Sequence, residues 1–280
     1  MTTAERTTAT SEETLVERRD GLVIVTFNRP KSKNALTAAN WKDLDAVLHD
    51  LEWNPEDRAL LLTGAGGNFS SGADLSGGMS GNDDGSDAGG LTGHGPQPIV
   101  NEMRTIGAIV ARLHRLPKPT IAAVDGVAYG VAFGIAMACD LIIASDQARF
   151  CEVFVKRGLA VDGGSSWLLP RLIGLRRAKQ LAYFGEVLDA ERALEWGLVN
   201  EVVAPDGLAD TATEWAQRLA TGPTVALGLI KRLMDGSDSA SLDEAVEGEA
   251  RAQHVAFTTK DMREGIQAFV ERREPAFTGE

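Results

Sequence analysis

The chain has few residues of several chemically informative kinds. Only two of its 280 residues are cysteines, Cys139 and Cys151, and they lack the spacing of a metal-binding pair. Both lie in apolar stretches, so we expect buried free thiols of the kind kept in a reducing cytosol. Basic residues are outnumbered, with 28 Lys and Arg against 40 Asp and Glu, which gives a net charge of -12. This balance argues against a nucleic acid or an anionic membrane as a partner.

Long apolar segments are also missing. No stretch reaches the roughly 18 uninterrupted apolar residues that cross a membrane, and the Thr-, Glu- and Ala-rich amino terminus lacks the apolar core of a secretory signal. We therefore predict a cytoplasmic protein with a disordered tail over residues 1–13. The remaining composition is ordinary for a globular protein, at 44% hydrophobic and 24% charged residues.

The pattern of apolar residues changes part-way along the chain. Up to about residue 205, β-branched strands alternate with helical spacing. After that point the pattern is helical only, and it predicts helices near 207–220, 224–234, 242–256 and 259–272. The sequence thus predicts an α/β core over residues 14–205, followed by a helical region over 206–280.

One carboxylate has surroundings that suit a proton carrier. Asp162 follows an apolar run and precedes Gly163 and Gly164, which open an apolar segment. Burial would raise the pKa of such a carboxyl, whereas the positive end of a following helix would lower it, and the sequence leaves open which effect prevails. The alternative interpretation is a helix N-cap, whose carboxylate accepts backbone N–H bonds from the next turn.

Two glycine-containing turns have the composition of a binding site for an oxygen atom. One covers residues 68–75 and includes Ala73, and the other covers 124–132 and includes Gly130 and Val131. Backbone N–H groups in such turns are free to point at a ligand, and two that converge on one oxygen form an oxyanion hole. A turn glycine that is needed for positive φ is the simpler explanation of either turn alone.

Seven short motifs are spread over nearly the whole chain, from Leu22 to about Gly279. In chain order they are Asn28-Arg29-Pro30, Asn34-Ala35-Leu36, Phe69 to Asp74, Ala122 to Gly126, Cys139-Asp140, Ala193 to Val199 and Asp261 to Phe269. This series resembles the enoyl-CoA hydratase/isomerase (crotonase) superfamily. The resemblance implies a spiral of ββα units with a helical carboxyl-terminal trimerisation region, and a homotrimer or a hexamer of two trimers. It also implies an acyl-CoA substrate, with neither a metal nor a redox cofactor.

The resemblance implies roles for individual residues. The backbone N–H groups of Ala73 and Val131 would hold the thioester oxygen, and Asp162 would carry the proton. The positions that would meet coenzyme A or the acyl group are Arg29, Lys31, Lys33, Ala35, Ser71, Asp74, Leu75, Gly130, Phe154, Lys260 and Phe269. Among these, the first three would lie near the CoA phosphates and the carbonyls of Ser71 and Leu75 near the adenine. Lys260 and Phe269 would reach CoA from the same or a neighbouring subunit.

Two positions depart from the hydratases of this superfamily. Where those enzymes use two glutamates to activate a water molecule, this chain has Gly134 and Phe154, and neither can transfer a proton. Glu152 would share a strand face with Phe154 at a shift of about 6.6 Å, which gives it a small chance of substituting. The segment from Asp162 to Arg171 instead resembles the single-aspartate isomerases, of the 1,2-epoxyphenylacetyl-CoA isomerase kind.

The favoured hypothesis is therefore an enoyl-CoA isomerase in which one carboxylate removes a proton and returns it at another carbon. An enoyl-CoA hydratase that works through Asp162 or Glu152 stays open, as does an acyl-CoA-binding protein that has lost its chemistry. A dehalogenase-type aspartate would need a positioned histidine. The candidate is His94, in a Gly- and Ser-rich segment over 77–95 that we predict to be a mobile loop.

Overall fold

A large sheet with parallel strands at its centre organises the fold in the computed structural model, which describes residues 6–7, 11–75 and 99–280. The strands are β1 (Arg6–Thr7), β2 (Thr14–Arg19), β3 (Leu22–Phe27), β4 (Ala59–Gly64), β5 (Thr120–Val124), β6 (Val127–Tyr129), β7 (Leu141–Ser145), β8 (Arg149–Cys151), β9 (Val187–Asp189) and β10 (Glu201–Val203). The seven-stranded sheet has the order β1-β2-β3-β4-β5-β7-β10, and β6-β8-β9 form a second sheet. From β3 to β10 all neighbours in the large sheet are parallel, so the loops after β4 and β5 emerge at the same edge.

The helices follow the strands and then continue alone. They are α1 (Ala38–Trp53), α2 (Ile99–Arg115), α3 (Val131–Ala138), α4 (Ser165–Ile173), α5 (Leu175–Phe184), α6 (Ala190–Glu195), α7 (Leu208–Ala220), α8 (Thr224–Gly236), α9 (Leu242–Ala256) and α10 (Lys260–Glu271). The predicted α/β core with helices after it is confirmed. Side-chain caps explain why the last helices begin where the sequence predicts: Ser241 and Glu244 form a capping box before α9, and Thr259 caps α10.

Apolar side chains cover both faces of the large sheet. Leu60 and Leu61 of β4 enter different clusters, because successive side chains of a strand point to opposite faces. A continuous apolar run is therefore what a strand buried on both faces requires. On one face, α7 lies close to the sheet because it presents small side chains four residues apart, at Ala212, Ala216 and Ala220.

The structure describes part of the amino-terminal segment and both cysteines. Most of the tail predicted over 1–13 lies outside the described residues, although Arg6–Thr7 pairs with β2 and the Ser11 hydroxyl donates to Asp43 at 2.5 Å. The predicted loop over 77–95 and His94 also lie outside them. Both cysteines are buried and free, as predicted. No helix in the described part of the chain has the length and apolar character to cross a membrane.

Candidate active site

The two glycine-containing turns lie side by side at the edge where β4 and β5 end. The Tyr129 N–H donates to the carbonyl of Ser70 at 3.1 Å, which ties one turn to the other. A Cβ on Gly72 would lie 2.8 Å from the Tyr129 carbonyl oxygen, so only glycine allows this approach. The structure thereby places Ala73 and Val131 on neighbouring segments.

The backbone N–H groups of Ala73 and Val131 donate to no other group within the described part of the chain. Val131 is the first residue of α3, where an N–H has no acceptor inside its own helix. Gly130, the residue before it, has φ of 55° and lies against Phe154, which is 7% exposed. Two unengaged donors beside the positive end of a helix are what an oxyanion hole requires.

Asp162 is brought to this place by close contacts between glycines. Gly163 has φ of 59°, and a Cβ there would lie 2.9 Å from Cγ2 of Val131. A Cβ on Gly134 would lie 2.3 Å from the carbonyl oxygen of Gly163, closer than any real contact. The turn that carries Asp162 therefore rests directly on α3.

The same contacts account for one of the two departures from the hydratases. At Gly134 no side chain fits unless the Gly163 carbonyl moves, so a glutamate there is incompatible with this turn. At the other position, the side chain of Phe154 packs toward Gly130. The Gly163 carbonyl occupies the space beside Gly134, and an aromatic ring occupies the second position. Asp162 is therefore the carboxylate beside α3.

The interpretation of Asp162 as a helix cap is wrong. The N-cap of α4 is Gly164, at φ of 80°, and no side chain caps this helix. Oδ1 of Asp162 is buried and has no hydrogen-bond partner among the described residues. Burial raises the pKa of Asp162 to about 6. Desolvation thus prevails over the helix dipole, and the carboxyl changes charge close to neutrality, as a general base does.

Glu152 lies elsewhere than the sequence predicts. The strand β8 ends at Cys151, and Glu152 starts the 3₁₀ helix Val153–Arg157, so the prediction that it shares a strand face with Phe154 is wrong. The chain turns at Glu152, with φ of -79° and ψ of 71°. Its side chain is 0% exposed, and neither carboxylate oxygen has a hydrogen-bond partner among the described residues.

The surroundings of Glu152 raise its pKa to about 7, because the carboxyl is buried and the charge of Asp162 is near. The hydroxyl of Ser165 acts in the opposite direction. It nevertheless lies outside hydrogen-bonding geometry, since Oγ of Ser165 is itself buried and unpartnered in the described structure. Ser165 could not be predicted as a site residue, because it comes near Glu152 only through the fold.

The segments predicted to bind coenzyme A join into one loop cluster. The Ser71 N–H donates to the Lys33 carbonyl at 2.9 Å, and the Leu36 N–H donates to the Gly72 carbonyl at 2.8 Å. The Asp74 N–H returns a bond to Leu36 at 2.9 Å. Ser71 and Leu75 therefore lie on a segment that is paired with the first loop.

The three basic residues of this cluster differ in how they are engaged. Arg29 donates to Asp74 at 2.8 Å and to the Ala35 carbonyl at 2.6 Å. Its charge and its N–H donors are therefore engaged within the loop cluster. Lys31 and Lys33 are exposed, and neither forms an ion pair within the described part of the chain. Only these two lysines keep their charge available for a ligand.

Asn34 organises this cluster, a role that the sequence analysis does not assign. Its side-chain amide donates to the carbonyls of Ala65 and Asn68 at 2.8 and 2.6 Å, and its Oδ1 accepts from the Arg29 N–H at 2.8 Å. Asn34 is 1% exposed and has φ of 54°, a conformation that asparagine tolerates better than most residues. The feature of the sequence that could have indicated this role is an asparagine within the loop motif Asn34-Ala35-Leu36.

Lys260 and Phe269 are not brought to the other site residues within this chain. The start of α10 is fixed through the Asp261 carboxylate, which accepts from the Gly279 N–H, and Gly279 lies against Arg58. Arg58 precedes β4, about 20 Å along the strand from the edge that carries the two turns. Phe269 is 84% exposed. A role of either residue toward coenzyme A therefore stays a prediction that needs a neighbouring chain.

A cleft opens between α2 and α4, next to the turn of Asp162. It encloses about 260 Å³ and is lined by Gly107, Val110, Ala111, His114, Arg115, Gly164, Trp167 and Leu168. The rings of Trp167 and His114 meet edge to face at 5.3 Å, and the guanidinium of Arg171 lies 3.9 Å from the Trp167 ring. The described residues contain no group of three or more His, Cys, Asp or Glu side chains that could hold a metal.

The family follows from comparison with known proteins. The model of the family described as enoyl-CoA hydratase/isomerase matches residues 17–280. The chain belongs to the enoyl-CoA hydratase/isomerase family. Among similar members of this family, the 1,2-epoxyphenylacetyl-CoA isomerase of Escherichia coli (strain K12) is 41% identical over 259 residues, which cover 92% of this chain and 95% of that protein.

Other members of the enoyl-CoA hydratase/isomerase family carry hydratase names. The short-chain-enoyl-CoA hydratase of Clostridium acetobutylicum is 36% identical over 269 residues, covering 92% of this chain and 95% of that protein. The crystal structure of enoyl-CoA hydratase from Bacillus anthracis superposes with a TM-score of 0.83 at 29% identity, covering 99% and 100% of the two chains. The predicted crotonase fold is confirmed, while both reactions are represented among the relatives.

Proposed function

We propose that the protein is an enoyl-CoA isomerase that moves a double bond along an acyl-CoA thioester. In this proposal Asp162 carries the proton, and the N–H groups of Ala73 and Val131 form the oxyanion hole. The observation that carries it is the packing of Gly163 on Val131, which sets a carboxylate beside an unengaged N–H. A base and an oxyanion hole are the two parts that proton abstraction next to a thioester needs.

The chemistry balances with one carboxylate. Ionised Asp162 removes a proton from a carbon made acidic by the thioester, and the C–H electron pair moves into the enolate. The enolate oxygen accepts hydrogen bonds from Ala73 and Val131, each worth roughly 3–4 kcal/mol of barrier. Protonated Asp162 then returns its proton to another carbon of the conjugated system, which completes the shift without water.

Two further features support an acyl-CoA as the substrate. The exposed cations Lys31 and Lys33 provide charge for phosphate groups on an otherwise acidic chain. The mostly apolar cleft between α2 and α4 begins at Gly164, two residues after Asp162, and suits the acyl group. We therefore infer that the acyl group enters this cleft, while the CoA moiety follows the loop cluster of Lys33 and Ser71.

Hydration of a double bond is the second candidate reaction, and a single observation favours it: Glu152 provides a second carboxylate near Asp162. Hydration requires that a water molecule contacts both carboxylates. Glu152 is 0% exposed, and the two positions that carry glutamate in the hydratases hold Gly134 and Phe154. These facts support the proposal of an isomerase over that of a hydratase.

We also propose that the chain works as a homotrimer or as a pair of trimers. The helix α9 buries none of its residues in this chain. It exposes Leu242, Val246 and Val255 to 78%, 52% and 45%, and apolar side chains left exposed in this way suit an interface.

Turnover of two substrates by the wild type and by Asp162→Asn tests the proposed reaction. We expect the wild type to convert a β,γ-enoyl-CoA into the α,β isomer faster than it hydrates crotonyl-CoA, and Asp162→Asn to lose at least about 1,000-fold in isomerisation. Asp43→Asn, a buried carboxyl paired with Ser11, is the matched control. An unchanged isomerisation rate in Asp162→Asn would reject the proposal, and binding of CoA without turnover by the wild type would point to a binding protein.

A further inference from the structure

A small group of buried polar atoms lies behind Asp162. Four of them have no hydrogen-bond partner in the described structure: both carboxylate oxygens of Glu152, Oδ1 of Asp162 and Oγ of Ser165. Glu152 is 0% exposed and Ser165 is 2% exposed, so water does not reach them from outside. Unpartnered buried oxygens are costly, and a site that contains several of them calls for an explanation.

The surroundings of Glu152 disfavour the simultaneous ionisation of Glu152 and Asp162. Asp162 faces it from the turn before α4, Ser165 from α4, and the Cys151 thiol precedes it in the chain. Burial raises the pKa of the Cys151 thiol, so that group stays neutral. The cations Lys156 and Arg157, on the 3₁₀ helix that follows Glu152, are exposed and act on the Cys151 thiol. Two negative charges in so dry a place repel each other, so the more deeply buried carboxyl keeps its proton to the higher pH.

We propose that Glu152 is a positioning residue for proton transfer at Asp162: it carries its own proton in the working enzyme, so that Asp162 alone holds the negative charge of the pair. This inference rests on the proposed role of Asp162. The Ser165 hydroxyl and the protonated Glu152 are the donors available for the acceptor oxygens of this group. Glu152 contacts no substrate and acts through Asp162.

The arrangement has a definite consequence for the pH dependence of isomerisation. As pH rises through the range in which Asp162 ionises, kcat/KM increases because the base forms. At higher pH Glu152 also loses its proton, and a second negative charge then faces the developing enolate. We therefore expect kcat/KM to fall again, so that the profile is bell-shaped with two apparent pKa values that belong to the pair.

Glu152→Gln tests this consequence, because glutamine keeps the shape of the protonated side chain and cannot ionise. We expect the variant to match the wild type within about three-fold near pH 6 and to keep its rate above neutrality, so that at about pH 8 it exceeds the wild type by five- to ten-fold. Glu152→Asp restores a titratable carboxyl and should bring the falling limb back. Asp43→Asn, a buried carboxyl outside the site, should leave the bell unchanged. The same falling limb in Glu152→Gln would overturn the inference.

A second measurement detects the proton on Glu152 without catalytic turnover. Infrared difference spectra of the unliganded protein should show the carbonyl stretch of a protonated carboxyl at neutral pH in the wild type, and this band should be absent in Glu152→Gln. In Asp162→Asn the band should vanish at lower pH than in the wild type, because loss of the neighbouring charge lowers the pKa of Glu152. Identical spectra for wild type and Glu152→Gln would overturn the inference. A fully active Asp162→Asn enzyme would instead reject the proposed function, so the two failures are distinguishable.

Discussion

The turn of Asp162 and the carboxyl-terminal helices are packed in opposite ways. Around Gly134 the backbone segments approach so closely that no Cβ fits between them. On α9, by contrast, no residue is buried, and Leu242 is 78% exposed. Both regions contain apolar side chains, so the difference lies in whether the same chain supplies the surface that covers them.

This difference separates the proposed chemistry of the protein from its proposed assembly. The proposed base and oxyanion hole are held by contacts within one chain, from Gly72 to Tyr129 and from Gly163 to Val131. In the proposed oligomer, the carboxyl-terminal helices bury their apolar side chains against a second surface. Substitutions in the first region should therefore change the reaction, and substitutions in the second should change the oligomeric state.

The largest expected effect is on the oligomeric state, through the exposed apolar side chains of the carboxyl-terminal helices. The double variant Leu242→Asp, Val246→Asp places two charges on the exposed face of α9, and burying them in an interface would cost several kcal/mol. We expect light scattering to find an oligomer for the wild type and a 29.8 kDa monomer for the variant. Trp53→Asp alters an equally exposed apolar residue of α1 and should keep the oligomer. A monomeric wild type would contradict the proposed oligomer.

The next effect concerns the tightly packed region. Gly134→Ala forces a methyl group into the carbonyl of Gly163, which should displace Asp162 and lower the free energy of unfolding by about 3 kcal/mol. We expect isomerase activity to fall at least about 100-fold. Gly236→Ala is the matched control, since nothing lies within 4 Å of the added Cβ. Full activity and stability of Gly134→Ala would show that the contact is not required.

Stability against pH gives a smaller effect in the same region. The pKa of Glu152 is raised from 4.5 to about 7 in the folded protein, so the folded state binds more protons than the unfolded state in this range and loses stability as pH rises through it. Glu152→Gln avoids this loss. Denaturant unfolding should find it more stable than the wild type by up to about 3 kcal/mol at pH 8, with little difference at pH 4. A difference independent of pH would contradict the buried, uncharged glutamate.

The smallest effect is expected at the exposed lysines. Lys31→Gln and Lys33→Gln each remove one solvated charge from the proposed phosphate site, so KM for an acyl-CoA should rise about three-fold at low salt while kcat stays the same. Lys42→Gln, an exposed lysine of α1, serves as the control. If all three variants behave alike, the loop lysines do not meet the CoA phosphates.

Local patterns predicted the elements better than the site. Every end of the carboxyl-terminal helices lies within two residues of its prediction, because capping residues such as Thr259 before α10 directly precede the helix in the sequence. The N-cap interpretation of Asp162 failed because Gly164 adopts the left-handed conformation that ends the turn. The strand prediction for Glu152 failed because the chain leaves β8 one residue earlier.

The arrangement of the site depends on contacts between distant residues. Gly134 and Gly163 are 29 positions apart, and Glu152 meets Ser165 across a turn, so no periodicity in the sequence reports either contact. The motifs named Ala73, Val131 and Asp162 as candidates through a family resemblance. The structure adds the reason why Gly134 must be glycine, and it shows that Glu152 is the carboxyl near Asp162.

Hydrogen exchange at the carbon next to the thioester tests the proposed base most directly. The wild type and Asp162→Asn would be incubated with a β,γ-enoyl-CoA in D₂O, and deuterium entering that carbon would be followed by NMR before any product accumulates. We expect rapid exchange by the wild type and a loss of at least about 1,000-fold in Asp162→Asn, with CoA-ester binding unchanged. Exchange at the wild-type rate in Asp162→Asn would contradict Asp162 as the proton carrier.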